Sequence, residues 1–140
     1  KLDKLYDEPL LLVTAPQHPL AAIKNLTWNN VCCHPLLLPR QHQDFGLRCI
    51  VERLYRDHQS LVHAVEVSGC ESLRQLLSYN YGMAFLPLSQ VQQDLDEQRL
   101  MVQSPIGISL SHTVAIATHP QYPLSRAAQS LADTIPKLLN

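Results

Sequence analysis

Apolar and polar positions along this chain switch between the rhythm of strands and the rhythm of helices. Residues 9–14 (PLLLVT) are an apolar run with prolines close on both sides, the pattern of a buried strand. Residues 16–20 (PQHPL) read as a turn. Residues 26–31 read as a short helical turn, capped by Thr27, with Trp28 packed inward. Residues 34–38 are a second apolar strand, stopped by Pro39. Asp44 is placed to cap a helix whose apolar residues Leu47, Ile50, Val51 and Leu54 recur at helical spacing. Its opposite face carries Arg48, Glu52, Arg53 and Arg56. Residues 62–67 follow as a strand with Val65 and Val67 on one face.

Ser68-Gly69-Cys70-Glu71 has the form of a capping box: the Ser68 hydroxyl takes the amide of Glu71, whose carboxylate reaches back. The helix it opens points Leu73, Leu76 and Leu77 inward and ends at Asn80, a residue that tolerates the left-handed conformation. Residues 83–86 (MAFL) form a short buried strand ended by Pro87, and Pro87 or Ser89 opens a helix to about Leu95. Residues 100–102 and 112–118 read as strands. A last helix over 124–139 places Leu124, Ala127, Ala128, Leu131 and Ile135 on one face, and Pro136 frays or kinks its final turn. Strands alternating with helices argue an α/β fold with largely parallel pairing. The turns after Pro39 and at Ser68 then share one sheet edge, where open α/β sheets bind ligands.

A chain of 140 residues with 46% hydrophobic content suits one domain or two small lobes, with enough core to fold without a disulfide or metal. Eleven Lys+Arg against twelve Asp+Glu form no basic stripe, which argues against nucleic-acid contact by these residues. No apolar run approaches the roughly 18 residues that span a bilayer. The opening Lys1-Leu2-Asp3-Lys4 is not a signal peptide and lacks a starting Met, so the chain reads as a fragment or a processed piece.

Cys32, Cys33, Cys49 and Cys70 show no C-x-x-C spacing and lie in or beside apolar segments, which reads as reduced, buried thiols in a cytoplasmic protein. The seven histidines form neither an H-x-x-x-H pair on a helix nor a zinc spacing with cysteine. Cys33-His34 beside His42 is the nearest approach to a cluster, and no metal is expected. There is no G-x-S-x-G elbow, dinucleotide fingerprint or Walker loop, and four glycines give little material for a phosphate cradle. No catalytic residue and no cofactor follow from the sequence, and the reading is that of a non-enzyme.

The order of several short motifs resembles the effector domain of LysR-type transcriptional regulators. Glu8-Pro9-Leu10-Leu11-Leu12-Val13 with His18-Pro19-Leu20-Ala21 resembles the family's strand followed by HPLA. Asn25-Leu26-Thr27 and His34-Pro35-Leu36-Leu37-Leu38 resemble the next helix and strand. Glu66-Val67-Ser68 with Glu71-Ser72-Leu73 resembles the strand, turn and helix after it. Tyr81-Gly82-Met83-Ala84-Phe85-Leu86-Pro87 resembles the return crossing, with Asn80 in place of its first glycine. Pro123-Leu124-Ser125 precedes the terminal helix. Peroxide-sensing members place a reactive cysteine immediately before Leu-Arg. Here Gly46 precedes Leu47-Arg48, and Cys49 lies within the helix, so that role does not carry over.

The resemblance implies a periplasmic-binding-protein-like (type 2) two-lobe α/β fold that begins midway through the first lobe. Residues 1–21 would return from lobe I and make the first crossing, 22–86 would form lobe II, and 87–140 would make the second crossing and rejoin lobe I. A small-molecule effector would sit in the cleft between lobes and shift the conformation of a homodimer or homotetramer on promoter DNA. The DNA would be held by an N-terminal winged helix-turn-helix absent from these residues. Candidate effector contacts are Pro39, Arg40, Gln41, Phe45 and Gly46 after the second strand, and Ser68, Gly69 and Cys70 after the third. Free amides at such helix starts suit an anionic group. The family's antiparallel helix packing implies an interface at Glu71, Arg74, Gln75, Ser78 and Tyr79, with Tyr81 adding a second exposed aromatic. Two other readings share the fold: a solute-binding protein of a transporter, disfavoured by four thiols, and an enzyme such as an aromatic-acid dehydratase or porphyrin-pathway deaminase, for which no catalytic set is found.

Overall fold

The computed structural model describes residues 1–41, 46–60 and 62–139. Strands β1 (Leu2–Thr14), β2 (Leu36–Pro39), β3 (Ala64–Val67), β4 (Met83–Pro87), β5 (Met101–Gln103) and β6 (Leu110–Ala117) alternate with helices. The helices are α1 (Trp28–Val31), α2 (Leu47–Asp57), α3 (Cys70–Ser78), α4 (Leu88–Asp96) and α5 (Arg126–Leu138), and a 3-10 turn covers Pro19–Ala22. The chain forms two compact units, Pro9–Leu110 and Lys1–Glu8 with the residues from Ser111 onward.

In the Pro9–Leu110 unit the strand order is β3-β2-β4-β1-β5. Strand β2 runs parallel to β3 and to β4, while β1 runs antiparallel to β4 and β5. Parallel pairing therefore holds for the β3-β2-β4 half alone. The apolar residues of β2 (Leu36, Leu37, Leu38) and β4 (Met83, Ala84, Phe85, Leu86) are buried, as expected for strands covered on both faces. Helix α2 supplies Leu47, Val51, Leu54 and Tyr55 to the core, and α3 supplies Leu73 and Leu77.

Local chemistry fixes the ends of these elements. Thr27 donates its amide and hydroxyl to Asn30 Oδ1 at the start of α1, and buried Trp28 donates Nε1–H to Ser60 Oγ at 2.8 Å. Helix α3 ends as expected at Asn80, whose φ is +61°. The Tyr81 amide donates to the Leu76 carbonyl and the Asn80 amide to that of Leu77, the paired bonds of a Schellman ending. A Cβ at Gly82 would stand 2.9 Å from the Pro35 carbonyl oxygen and 3.3 Å from the Leu37 side chain, so only glycine lets β4 approach β2 this closely.

In the other unit β6 pairs with β1, and Lys1 and Thr118 exchange backbone hydrogen bonds of 2.7 and 2.9 Å. Buried Glu8 meets His112 Nε2 at 2.8 Å, and Thr113 donates to Asp7 at 2.6 Å. Helix α5 is capped by Ser125 Oγ, which accepts from the Ala128 amide, and it contains Pro136.

In the Pro9–Leu110 unit, Leu10, Leu12, Val13, Leu20, Val91 and Leu100 bury into the same core as β2 and β4. One expectation needs correction. The cysteines are not buried: Cys33, Cys49 and Cys70 are exposed and only Cys32 is half-buried. They fall at a helix end, on the polar side of α2 and in the first turn of α3, positions that apolar neighbours in sequence do not cover.

Candidate functional site

The parallel register aligns Leu36 with Ala64 and carries through to Pro39 opposite Val67, so β2 and β3 end side by side at one edge of the sheet. The chain leaves that edge through Pro39, Arg40 and Gln41 on one strand and through Ser68, Gly69 and Cys70 on its neighbour. The structure thus brings these two sets of predicted residues together. Pro39 is half-buried; Arg40, Gln41, Gly46, Ser68, Gly69 and Cys70 are exposed. Phe45, with Asp44 and His42, lies outside the described residues.

Both helices facing this edge begin at a left-handed glycine. Gly46 is the N-cap of α2 at φ +87°, and Gly69 is the N-cap of α3 at φ +86°. A Cβ at either glycine would meet open space, so backbone conformation is what calls for glycine at both positions. Helix α3 has no side-chain cap among the described residues, which corrects the reading of Ser68 as a capping residue; the expected cap of α2, Asp44, lies outside the described residues. The left-handed Gly69 takes the N-cap position one residue later, and Glu71 turns forward to Arg74 Nη1 at 2.9 Å instead of reaching back.

Three side chains brace the edge from outside the predicted set. Arg48 donates from Nε to Glu52 Oε1 at 2.7 Å and from Nη1 to Glu66 Oε1 at 2.8 Å, and it reaches the Pro39 carbonyl at 3.4 Å. It links α2, the last residue of β2 and strand β3, and its two carboxylate partners raise its pKa further. Gln90 of α4 accepts from Cys70 Sγ at 2.8 Å. Burial of that sulfur pushes the Cys70 thiol up, against the pull of Arg74, so it stays a protonated donor near neutral pH. Asp94 of α4, almost fully buried, accepts from Arg74 at 2.7 Å and from Arg99 at 2.8 Å. Burial alone would raise the Asp94 pKa, but hydrogen bonds and charge from Arg74 and Arg99 outweigh it and the net shift is downward. The sequence signals Arg48 only through its i,i+4 spacing to Glu52. The links from Gln90 to Cys70 and from Asp94 to Arg74 carry no signal, because those partners lie 20 residues away.

Of the residues read as an interface, Arg74 is committed inward to Asp94 and sideways to Glu71. Ser78 donates to the Gln75 carbonyl at 2.7 Å. Tyr79 is 72% exposed and Tyr81 66%. Among the described residues, no three His, Cys, Asp or Glu side chains gather as a metal site would require. The edge offers backbone amides, hydroxyl and amide side chains and a guanidinium: the chemistry of hydrogen-bonded recognition.

The comparisons with known proteins agree with this architecture. The regulatory domain of CcmR from Synechocystis PCC6803, solved in complex with 2-PG, superimposes with a TM-score of 0.89 at 18% identity, over 100% of this chain and 67% of that one. The effector binding domain of QuiR, solved with shikimate, gives a TM-score of 0.83 at 18% identity, over 99% of this chain and 64% of that one. These establish the fold as the periplasmic-binding-protein-like type 2 α/β arrangement. The RuBisCO operon transcriptional regulator of Allochromatium vinosum is 22% identical over 96 residues, which are 68% of this chain and 31% of that protein's length. The family model of the LysR substrate binding domain matches residues 1–139. With the family model matched over nearly the whole sequence and the fold in agreement, this chain belongs to the family of LysR substrate binding domains.

Proposed function

We propose that the chain is the small-molecule-sensing regulatory part of a LysR-type transcription factor in the cytoplasm. Its effector binds at the β2/β3 edge and is contacted by Pro39, Arg40, Gln41, Phe45, Gly46, Ser68, Gly69 and Cys70. The observation that supports this reading is the pairing of Pro39 with Val67, which ends β2 and β3 side by side. Amides at helix starts and an exposed Arg40 favour an anionic group, a carboxylate or a phosphate. Such an effector acts by binding one conformation of the regulator better than another and so shifting the population. DNA contact belongs to a separate N-terminal helix-turn-helix. The regulator works as a homodimer or homotetramer, with Glu71, Arg74, Gln75, Ser78 and Tyr79 on the contacting helix. Residues 22–86 then correspond to the second lobe of the family pattern, and no turnover is expected.

Calorimetric titration with a panel of small carboxylates and phosphates, starting with shikimate and 2-PG, tests the reading. Saturable binding of one panel member is expected, and Arg40→Ala should weaken it about tenfold, or roughly 1.4 kcal/mol, with little change in melting temperature. Unchanged affinity in Arg40→Ala would remove Arg40 from the site. Chemical conversion of a bound panel member would overturn the non-enzyme reading.

A further inference from the structure

Cys32 and Cys33 close the short helix α1, with Cys32 as its C-cap. Neighbouring side chains on a helix point about 100° apart, yet these two thiols bend back to one acceptor. Cys32 Sγ lies 3.5 Å and Cys33 Sγ 3.2 Å from the carbonyl oxygen of Asn29. Their sulfurs are therefore no farther apart than those two distances together. Both are free thiols; Cys33 is exposed and Cys32 half-buried, so the pair has an open approach and a partly desolvated floor.

His34, next in sequence, turns its ring to His18, with centroids 4.9 Å apart. Two adjacent thiols held on one acceptor suit a soft centre that brings its own third substituent. We propose that Cys32 and Cys33 form a dithiol site for a trivalent, thiophilic metalloid of the organoarsenical type. With phenylarsine oxide as the probe, two As–S bonds form and the As–O double bond breaks. The oxygen leaves as water with the two thiol protons. Arsenic stays trivalent and both sulfurs keep their oxidation state, so no oxidant or reductant is needed. Once one thiol is bonded, the second acts at the high effective concentration of a neighbour in the same turn.

Intact-mass spectrometry of the folded chain tests the site: one equivalent of phenylarsine oxide, then a challenge with excess monothiol. One adduct per chain that resists the challenge is expected. Cys32→Ser and Cys33→Ser should each lower the retained affinity about 100-fold or more, the scale of a lost chelate. A Cys49→Ser/Cys70→Ser double variant should match the parent. An adduct that survives in Cys33→Ser as well as in the parent overturns the site, as does a parent adduct stripped as readily as that of the single variants. Cys33 is exposed, so its variant remains decisive even where Cys32→Ser perturbs folding, and melting curves of both confirm which case applies.

Discussion

Helix α3 of the Pro9–Leu110 unit turns Leu73 and Leu77 into a core where they are 1% and 0% exposed. Helix α5 of the other unit is equally well patterned and better capped, yet it contains no buried residue, and Leu131 stands 62% exposed. Around α3 there are sheet and helix on several sides; in the second unit the described elements are one strand pair and one helix. Among its described residues the buried one is Glu8, and its side-chain hydrogen bonds join Glu8 with His112 and Asp7 with Thr113 and Lys4. Patterning thus states which face of a segment seeks cover, while the number of layers around it decides whether that face is covered.

Mutations should separate the two units by size of effect. Leu77→Ala empties a fully buried position and should cost about 3–5 kcal/mol, whereas Leu131→Ala should change stability by less than about 0.5 kcal/mol. Urea denaturation followed by fluorescence of Trp28, the sole tryptophan, reads the Pro9–Leu110 unit in both cases. Equal losses in the two variants would end the contrast. Gly82→Ala forces a carbon against the Pro35 carbonyl and should cost about 2–3 kcal/mol by the same measurement.

Asp94→Asn should cost about 1–2 kcal/mol near neutral pH, since it removes the charge that two half-exposed arginines share. The native pKa of Asp94 lies below its ordinary value. The stabilisation it supplies is therefore complete above the ordinary carboxylate range and is lost as pH falls through the lowered native value. Urea midpoints at pH 7 and pH 3 should show the parent-minus-variant gap narrowing in acid; a gap that widens would reverse the assigned sign. The smallest global effect belongs to Ser125→Ala. Loss of this cap should cost α5 about 1 kcal/mol, visible as faster amide exchange at Ala128 with no change in the Trp28 transition.

The legible parts of the fold were those whose cause is local. The spacing of Leu47, Val51 and Leu54 marks α2, and the left-handed tolerance of Asn80 marks the end of α3. The first half of β1 was hidden because Leu2–Glu8 mixes charge with apolar residues and becomes a strand by pairing with β6, far away in sequence. Ser68 read as a cap because the motif is local, but a left-handed Gly69 displaced it. The candidate edge was legible as two turns, since the end of a strand is written in its prolines and glycines. Its braces were not, because Arg48 to Glu66, Cys70 to Gln90 and Arg74 to Asp94 each join segments 18 or 20 residues apart.

The pairing of Pro39 with Val67 also sets a length. Neighbouring strands stand about 4.8 Å apart, so the two chains leaving the sheet at this edge depart with that gap between them. On the proposed reading, that gap would act as a gauge for the effector. A compact group such as a carboxylate or a phosphate would meet both departing backbones at once, whereas a wide apolar ring end-on would have to push them apart against the Arg48 cross-link. Size discrimination would then follow from the hydrogen-bonded spacing of a sheet, before any side chain chooses its partner.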